Sequence, residues 1–423
     1  MAEETRPSRR RGILADTRFL VFTSGQGVSA IGDGIYIVAL AWTALNLTHS
    51  AVYLGLLLTT TALPRAILML GGGVLVDRWG ARRVILGSDL SRAGVIGVLA
   101  VLLWLGHSSI LGLFVVAGIF GVFDALFYPA ASTIMPRLIQ EEHLSAANGV
   151  WQMVVEGSLI VGPPLGGVIV GLAGPALAFT VDAVTFLIAF GALLVIRAGG
   201  RTPAEAAAGA APEESAESFR SQLTAGLRAF MAQPFLRALL PIAAAVNLAA
   251  GGPLNVGIPL LARAHHWGAT GFGLLFGGLG VGMLVGGLAM SAGLKLPRIG
   301  VSVMVLVLVQ AAMMGLLGVD GWLPVSIALC AAMGALMSAA NISIISLVQV
   351  ISPPQLLGRV ISVLMFASVS LTPISYAISG GLAHGIGIPG LFLAGAGLEV
   401  MAALVALGSG AVRGYGQLAP APG

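Results

Sequence analysis

GGGVLVDRWGARRV, residues Gly71 to Val84, joins two long apolar runs at roughly 52–76 and 83–105. Within this short glycine-rich stretch one carboxylate, Asp77, stands among Arg78, Arg82 and Arg83. Charge gathered into so tight a connection, with about 20 apolar residues on either side, is the pattern of a loop between two membrane-crossing helices. Gly73 and Gly80 let the helix ends approach closely, and Asp77 is placed to cap or face a helix N-terminus.

The whole chain has the same character. Its 423 residues are 57% hydrophobic and 9% charged, with 60 glycines and a mean hydropathy of +0.99. That is too little charge to cover a water-soluble surface, so the composition places the chain in a bilayer. The net charge of +4, from 21 Lys+Arg against 17 Asp+Glu, is scattered over short loops instead of forming a stripe, and no nucleic-acid partner is expected. Cys330 stands alone in an apolar run, so no disulfide framework and no cysteine metal site is expected. No His-Glu-x-x-His run, Walker-type phosphate loop or persuasive nucleophile-and-base set occurs, which argues against an enzyme, a metal or a cofactor. Arg9 to Arg11 resemble the start of a signal peptide, but the apolar run at 19–45 is too long for one and reads as a retained first span.

Apolar windows of spanning length fall at roughly 19–45, 52–76, 83–105, 109–135, 147–171 and 176–196, then at 237–262, 271–294, 299–319, 323–349, 359–383 and 388–412. The expected fold is therefore an all-α integral membrane protein of twelve transmembrane helices in two six-helix bundles, 19–196 and 237–412. Tails of 1–18 and 413–423 flank them, and a Gly/Ala/Pro/Glu-rich linker of 197–236 joins them. In that linker Phe219, Leu223, Leu227 and Phe230 recur at helical spacing, which fits either an interfacial helix or a solvated one. Apart from Arg263, and Arg65 and Arg92 within spans, every Arg and Lys falls on the side shared by both termini and the linker. By the positive-inside rule that side is cytoplasmic, in the cell membrane.

The halves repeat each other weakly. Leu144 to Gly167 matches Leu356 to Gly381 at a nearly constant offset, and Gly71 to Arg83 matches a degraded copy from Val285 in which Ser291 replaces Asp77. Two parallel six-helix repeats imply a substrate cavity between them near the midplane.

The Gly71–Val84 stretch resembles the signature loop of the major facilitator superfamily, Gly-x-x-x-Asp-Arg/Lys-x-Gly-Arg/Lys-Arg/Lys: Gly73, Asp77, Arg78, Gly80 and Arg82 match, and Ala81 departs with Arg83 beside it. The resemblance implies a conformational latch, in which Asp77 faces a helix of the opposite half and an arginine pairs with acids of its own half. Asp89 and Asp124 are the candidates for those acids. In the fifth span, Gly149, Ser158, Gly162, Pro163, Gly166 and Gly167 resemble the helix of drug/proton antiporters, one glycine having become serine. In the family that pattern marks export. Small residues on one stripe allow close helix contact, and Pro163 with Pro164 removes backbone bonds. Together with "GDGIYIVALAW" (Gly32 to Trp42), "GSDLSRAG" (Gly87 to Gly94) and "MPRLIQEEHLSAANGV" (Met135 to Val150), these motifs resemble the macrolide-efflux and enterobactin-exporter-like branch.

Charges inside spans are costly and usually face a bundle interior or cavity. The first six spans hold Asp33, Arg65, Asp89, Arg92, Asp124, Glu156 and Asp182, and the last six hold only Glu399. The expected proton-coupling candidates are Glu156, Asp33, Arg65 and Asp124, with Asp33 and Arg65 forming a buried pair. Asn247, Asn255, Gln310, Asn341 and Tyr376 are candidates for a neutral cavity wall suited to a bulky amphipathic substrate. The expected activity is export of such a molecule in exchange for protons, by a monomer bathed in lipid. The alternatives are an uptake symporter on the same fold and a non-transporting receptor or scaffold.

Overall fold

The computed structural model describes residues 16–68, 72–139, 143–196, 234–294, 296–352, 357–410 and 413. The segment from Phe219 to Phe230 and most of both tails lie outside the described residues. In the first half are α1 (Thr17–Thr48), α2 (Ala51–Leu68), α3 (Gly72–Trp79), α4 (Ala81–Trp104), α5 (Ile110–Leu138), α6 (Leu144–Ala173) and α7 (Pro175–Val195). In the second are α8 (Pro234–Gly252), a π-helical turn (Pro253–Gly257), α9 (Ile258–Ala264), α10 (Gly268–Ser291), α11 (Ile299–Leu317), α12 (Leu323–Ile351), α13 (Leu357–Ser370) and α14 (Thr372–Gly408). Helices are the outcome expected of these apolar runs, because a lipid-embedded backbone must satisfy its hydrogen bonds internally.

Among the described residues eleven helices are long and apolar enough to cross a membrane. The last runs from Phe366 to Gly408, 43 residues, about twice what a bilayer needs. It breaks at Gly387, whose φ of 76° and ψ of 174° are not helical, with Pro389 just beyond. That break divides it into two passes, making twelve crossings and returning the chain to the side where it began.

The signature stretch is more helical than a loop. Asp77 and Arg78 lie in α3, and the turn to α4 is Gly80 alone, at φ +83°, a left-handed conformation that costs glycine nothing. The Gly80 amide donates to the Val76 carbonyl at 2.8 Å, and the Gly80 carbonyl accepts from the Arg83 amide at 3.0 Å. At the chain's start the Asp16 carboxylate caps α1 by accepting from the Arg18 and Phe19 amides at 2.9 and 3.3 Å.

Within the first half α1 lies on α6 and α7, and α4 lies on α5 and α7. Between the halves α2 meets α14 and α6 meets α10. The second pass of each half thus packs on the fifth pass of the other, as a pseudo-two-fold axis requires. Side chains such as Leu172, Val195 and Val405 point outward and are exposed, a surface suited to lipid.

The side of the bundle that carries Gly80, Ile139, His143 and both ends of the described chain is the terminal face; His49, Gly174, His265 to Trp267 and Gly387 lie on the opposite face. The halves touch between the midplane and that opposite face. A β-carbon at Gly273 would stand 2.3 Å from the Pro163 carbonyl oxygen, and one at Gly55 2.5 Å from that of Tyr376. The Thr270 hydroxyl donates to the Gly167 carbonyl at 3.2 Å, and that of Thr59 to Pro373 at 3.0 Å. Pro163 and Pro164 leave the Leu159 and Ile160 carbonyls without their helical amide donors. Those carbonyls are turned to the glycines of α10, where a β-carbon at Gly280 would lie 3.0 Å from Leu159 O and one at Gly277 3.4 Å from Ile160 O. Toward the terminal face α6 loses such neighbours: a β-carbon at Gly149 or Gly157 would meet nothing within 4 Å.

Candidate functional site

The midplane of the first half holds a cluster of ionisable side chains drawn from α1, α2, α4, α5 and α7. Its centre is Arg92 on α4, whose guanidinium is 1% exposed. One turn earlier on the same helix Asp89, 0% exposed, accepts from Arg92 Nη2 at 2.9 Å, a charge-assisted bond. The second Asp89 oxygen accepts from Gln26 Nε2 of α1 at 3.1 Å. Arg92 Nη1 lies 3.8 Å from Asp124 of α5 and 4.0 Å from Asp33 of α1. Its plane sits over the Phe186 ring at 4.2 Å and the Phe127 ring at 5.0 Å, so aromatic faces take the place of water around the cation.

Arg65 of α2 completes the outer edge. Its Nη1 lies 3.8 Å from the other Asp124 oxygen, and its guanidinium sits 4.4 Å over the Tyr128 ring. Exposure falls along the cluster from Arg65 at 40% and Asp33 at 35% through Asp124 at 17% to the buried Arg92. The cluster is wet at one edge and dry at the other.

Asp182 of α7 lies at the dry end, fully buried. Among the described residues its Oδ2 has no hydrogen-bond partner, while Oδ1 lies 3.4 Å from the Thr185 hydroxyl. The sequence reading gave Asp182 no place in the site, yet a signal was present in the Gly32-Asp33-Gly34 run. A β-carbon at Gly32 would stand 2.5 Å from Asp182 Oδ1, and one at Gly34 2.8 Å from the Gly162 α-carbon. The two glycines flanking Asp33 thus admit a carboxylate on one side and α6 on the other.

Several expectations are corrected here. Asp33 and Arg65 do not pair with each other: Asp33 faces Arg92, and Arg65 faces Asp124. Arg82 does not reach Asp89 or Asp124; its Nη2 donates to the Leu193 carbonyl at 2.8 Å in the last turn of α7, where a cation also suits the helix dipole. Arg78 and Arg83 are exposed, and the surroundings of Gly73 and of the Asp77 side chain lie outside what the structure describes. Glu156 stays outside the cluster and accepts from Gln152 of its own helix at 2.9 Å. On α6, Gly162 and Gly166 press on α1, Gly167 presses on Ala269 of α10, and the Ser158 hydroxyl donates to Val154 at 2.8 Å. Gly149, by contrast, is exposed.

In the second half Gln310 is buried and donates to Glu399 at 3.0 Å, so it faces a carboxylate instead of a cavity. Asn247 and Asn255 donate to carbonyls of their own helical turns, Ala243 and Gly251, both at 2.9 Å. Asn341 is exposed and Tyr376 half-buried. Among the described residues no three His, Cys, Asp or Glu side chains gather as a metal site would require.

A pseudo-two-fold bundle of twelve passes with a graded ion cluster inside its first half belongs to the class of membrane transport proteins. The profile of the Major Facilitator Superfamily matches residues 22–375, and the chain belongs to that superfamily. It is 27% identical over 411 residues to the multidrug efflux pump Tap of Mycolicibacterium fortuitum, covering 91% of this chain and 92% of that one. It is 26% identical over 400 residues to the enterobactin exporter EntS of Citrobacter koseri, covering 93% and 92%. Among solved structures, the nucleoside transporter NupG superposes with a TM-score of 0.73 at 15% identity, over 93% of this chain and 98% of that one. A bacterial homologue of ferroportin does so at 0.68 and 14%, over 94% and 99%. These structural likenesses concern the fold.

Proposed function

We propose that this transporter exports an amphipathic small molecule, drug-, macrolide- or siderophore-like, from the cytoplasm in exchange for protons. The relatives that pump drugs or export enterobactin support the direction and the substrate class. The concentration of Arg and Lys on the terminal face supports a cytoplasmic position for it, so the parted halves open toward the cytoplasm.

The observation that carries the coupling is the cluster itself. Among the described residues, the cations near Asp33, Asp89, Asp124 and Asp182 are Arg65 and Arg92. Fully ionised, this set has an excess of two negative charges in a low-dielectric interior, a costly state that bound protons relieve. Asp33 and Asp124, at the wet edge, exchange with the open side, and Asp182 holds its carboxyl at the dry end. Rocking of one half on the other changes which side reaches the wet edge, and proton affinity must differ between the two states for the gradient to drive anything. The substrate lies between this edge and the half-buried amides Asn247 and Asn255 with Tyr376.

Everted membrane vesicles with an imposed acid interior test the proposal. A cationic dye or macrolide should accumulate inside and be released by a protonophore. Movement in the opposite direction would support uptake, and no movement of any ligand would support a non-transporting protein. In the same vesicles Asp182→Asn should lose most gradient-driven accumulation while binding substrate within about threefold of the parent in a thermal-shift titration, since Asp182 is fully buried behind Asp33. Glu156→Gln should keep accumulation within about twofold, because the amide preserves the contact with Gln152 and no cluster member is lost.

A further inference from the structure

Arg263 is the one basic residue that the charge bias leaves in the connecting region on the opposite face. A cation there works against the topology signal of the chain, so its presence asks for a local reason. The structure supplies one. Arg263 lies in the last turn of α9, in the second half, and its Nη1 donates across the boundary to the Leu45 carbonyl at the end of α1, in the first half. The same nitrogen stands 3.4 Å from Asn46 Oδ1.

That end of α1 is built to receive it. The helix runs 32 residues without a basic side chain in its last turn and stops at His49, left-handed at φ 54°, whose amide donates to the same Leu45 carbonyl at 3.0 Å. The carbonyls of a last turn carry the negative end of the helix dipole, and this helix has no basic side chain of its own there to cover them. Around this point the halves meet closely, Thr270 donating to Gly167 and Ala269 pressing on that glycine. Arg263 thus carries a charged hydrogen bond from one half to the other.

We propose that Arg263 is the positioning residue that holds the opposite face shut, a helix C-cap supplied by one half to the other, which must break for that face to open. It acts at the far end of the molecule from the Gly71–Val84 stretch. Its place in the cycle rests on alternating access, not on the identity of the substrate or on protons.

The test is the reactivity of Ala269→Cys, which is 2% exposed in this closed face and becomes reachable only when the halves part. The native thiol, Cys330, is itself buried. Purified chain in nanodiscs is labelled with a membrane-impermeant maleimide, without substrate or gradient. Arg263→Gln should speed labelling about tenfold, the effect of losing one charge-assisted hydrogen bond, and Arg263→Lys should restore much of the protection. Unchanged labelling in a monodisperse Arg263→Gln chain overturns the proposal. If that variant does not fold, Asn46→Asp decides instead: a carboxylate beside the guanidinium should slow labelling severalfold, and an unchanged or faster rate overturns the proposal. Vesicle transport fails or succeeds independently of these rates, so the export reading and the cap are judged separately.

Discussion

Replacing Arg92 with leucine is expected to abolish transport and to destabilise the folded chain by about 3–5 kcal/mol, the usual cost of removing one partner from a buried ion pair. No discount for solvent applies, because Arg92 and Asp89 are 1% and 0% exposed. Asp89 would keep only its bond from Gln26, and Asp33 and Asp124 would each lose their nearest shared cation. Thermal unfolding in detergent measures the first effect and vesicle accumulation the second. Pairing the change with Asp89→Asn removes the stranded charge and should recover most of the lost stability. It should not recover transport, because Asp33 and Asp124 still lack the guanidinium that both face. Recovery of transport in the double variant would show that Arg92 serves packing alone.

The second large effect is expected at the seam between the halves. Gly273→Leu should reduce transport by about a hundredfold or more, because its β-carbon would meet backbone, the Pro163 carbonyl at 2.3 Å, which cannot step aside as a flexible side chain does. With the seam wedged, the opposite face cannot close, and Ala269→Cys should stay reactive to impermeant maleimide under all conditions. Gly87→Leu is the control: a β-carbon there meets nothing within 4 Å, so turnover should change little. Normal turnover in Gly273→Leu would mean that the halves never approach as closely as they do here during the cycle.

Much of the fold is legible in the amino-acid sequence. Hydropathy located the spans, and the placement of Arg78, Arg82, Arg83 and the other basic residues supports the proposed cytoplasmic face. Span boundaries were the weaker part. Asp77 to Trp79, expected to lie beyond the second span, are helical in α3, with Gly80 alone as the turn to α4, whereas the break between the last two passes falls at Gly387, between the expected windows of 359–383 and 388–412. Part of the cluster was legible as charges within apolar runs, but its pairings were not. Asp33, Arg65 and Asp124 stood out as charges in apolar runs, but which acid met which base depended on the rotation and depth of five helices. Asp182 reads in the sequence as one more charge within a span; what ties it to the cluster is its approach to Gly32 of α1, far from it in the chain.

The sequence by itself determined what kind of molecule this is, because span length, charge bias and the signature order around Asp77 are local properties that lipid and water read residue by residue. Only the tertiary structure decided which carboxylates share Arg92, why Gly32 and Gly34 flank Asp33, and why Arg263 stands where the charge bias would exclude it. Each of those depends on contacts between residues far apart in the chain, and their geometry comes from how the helices pack.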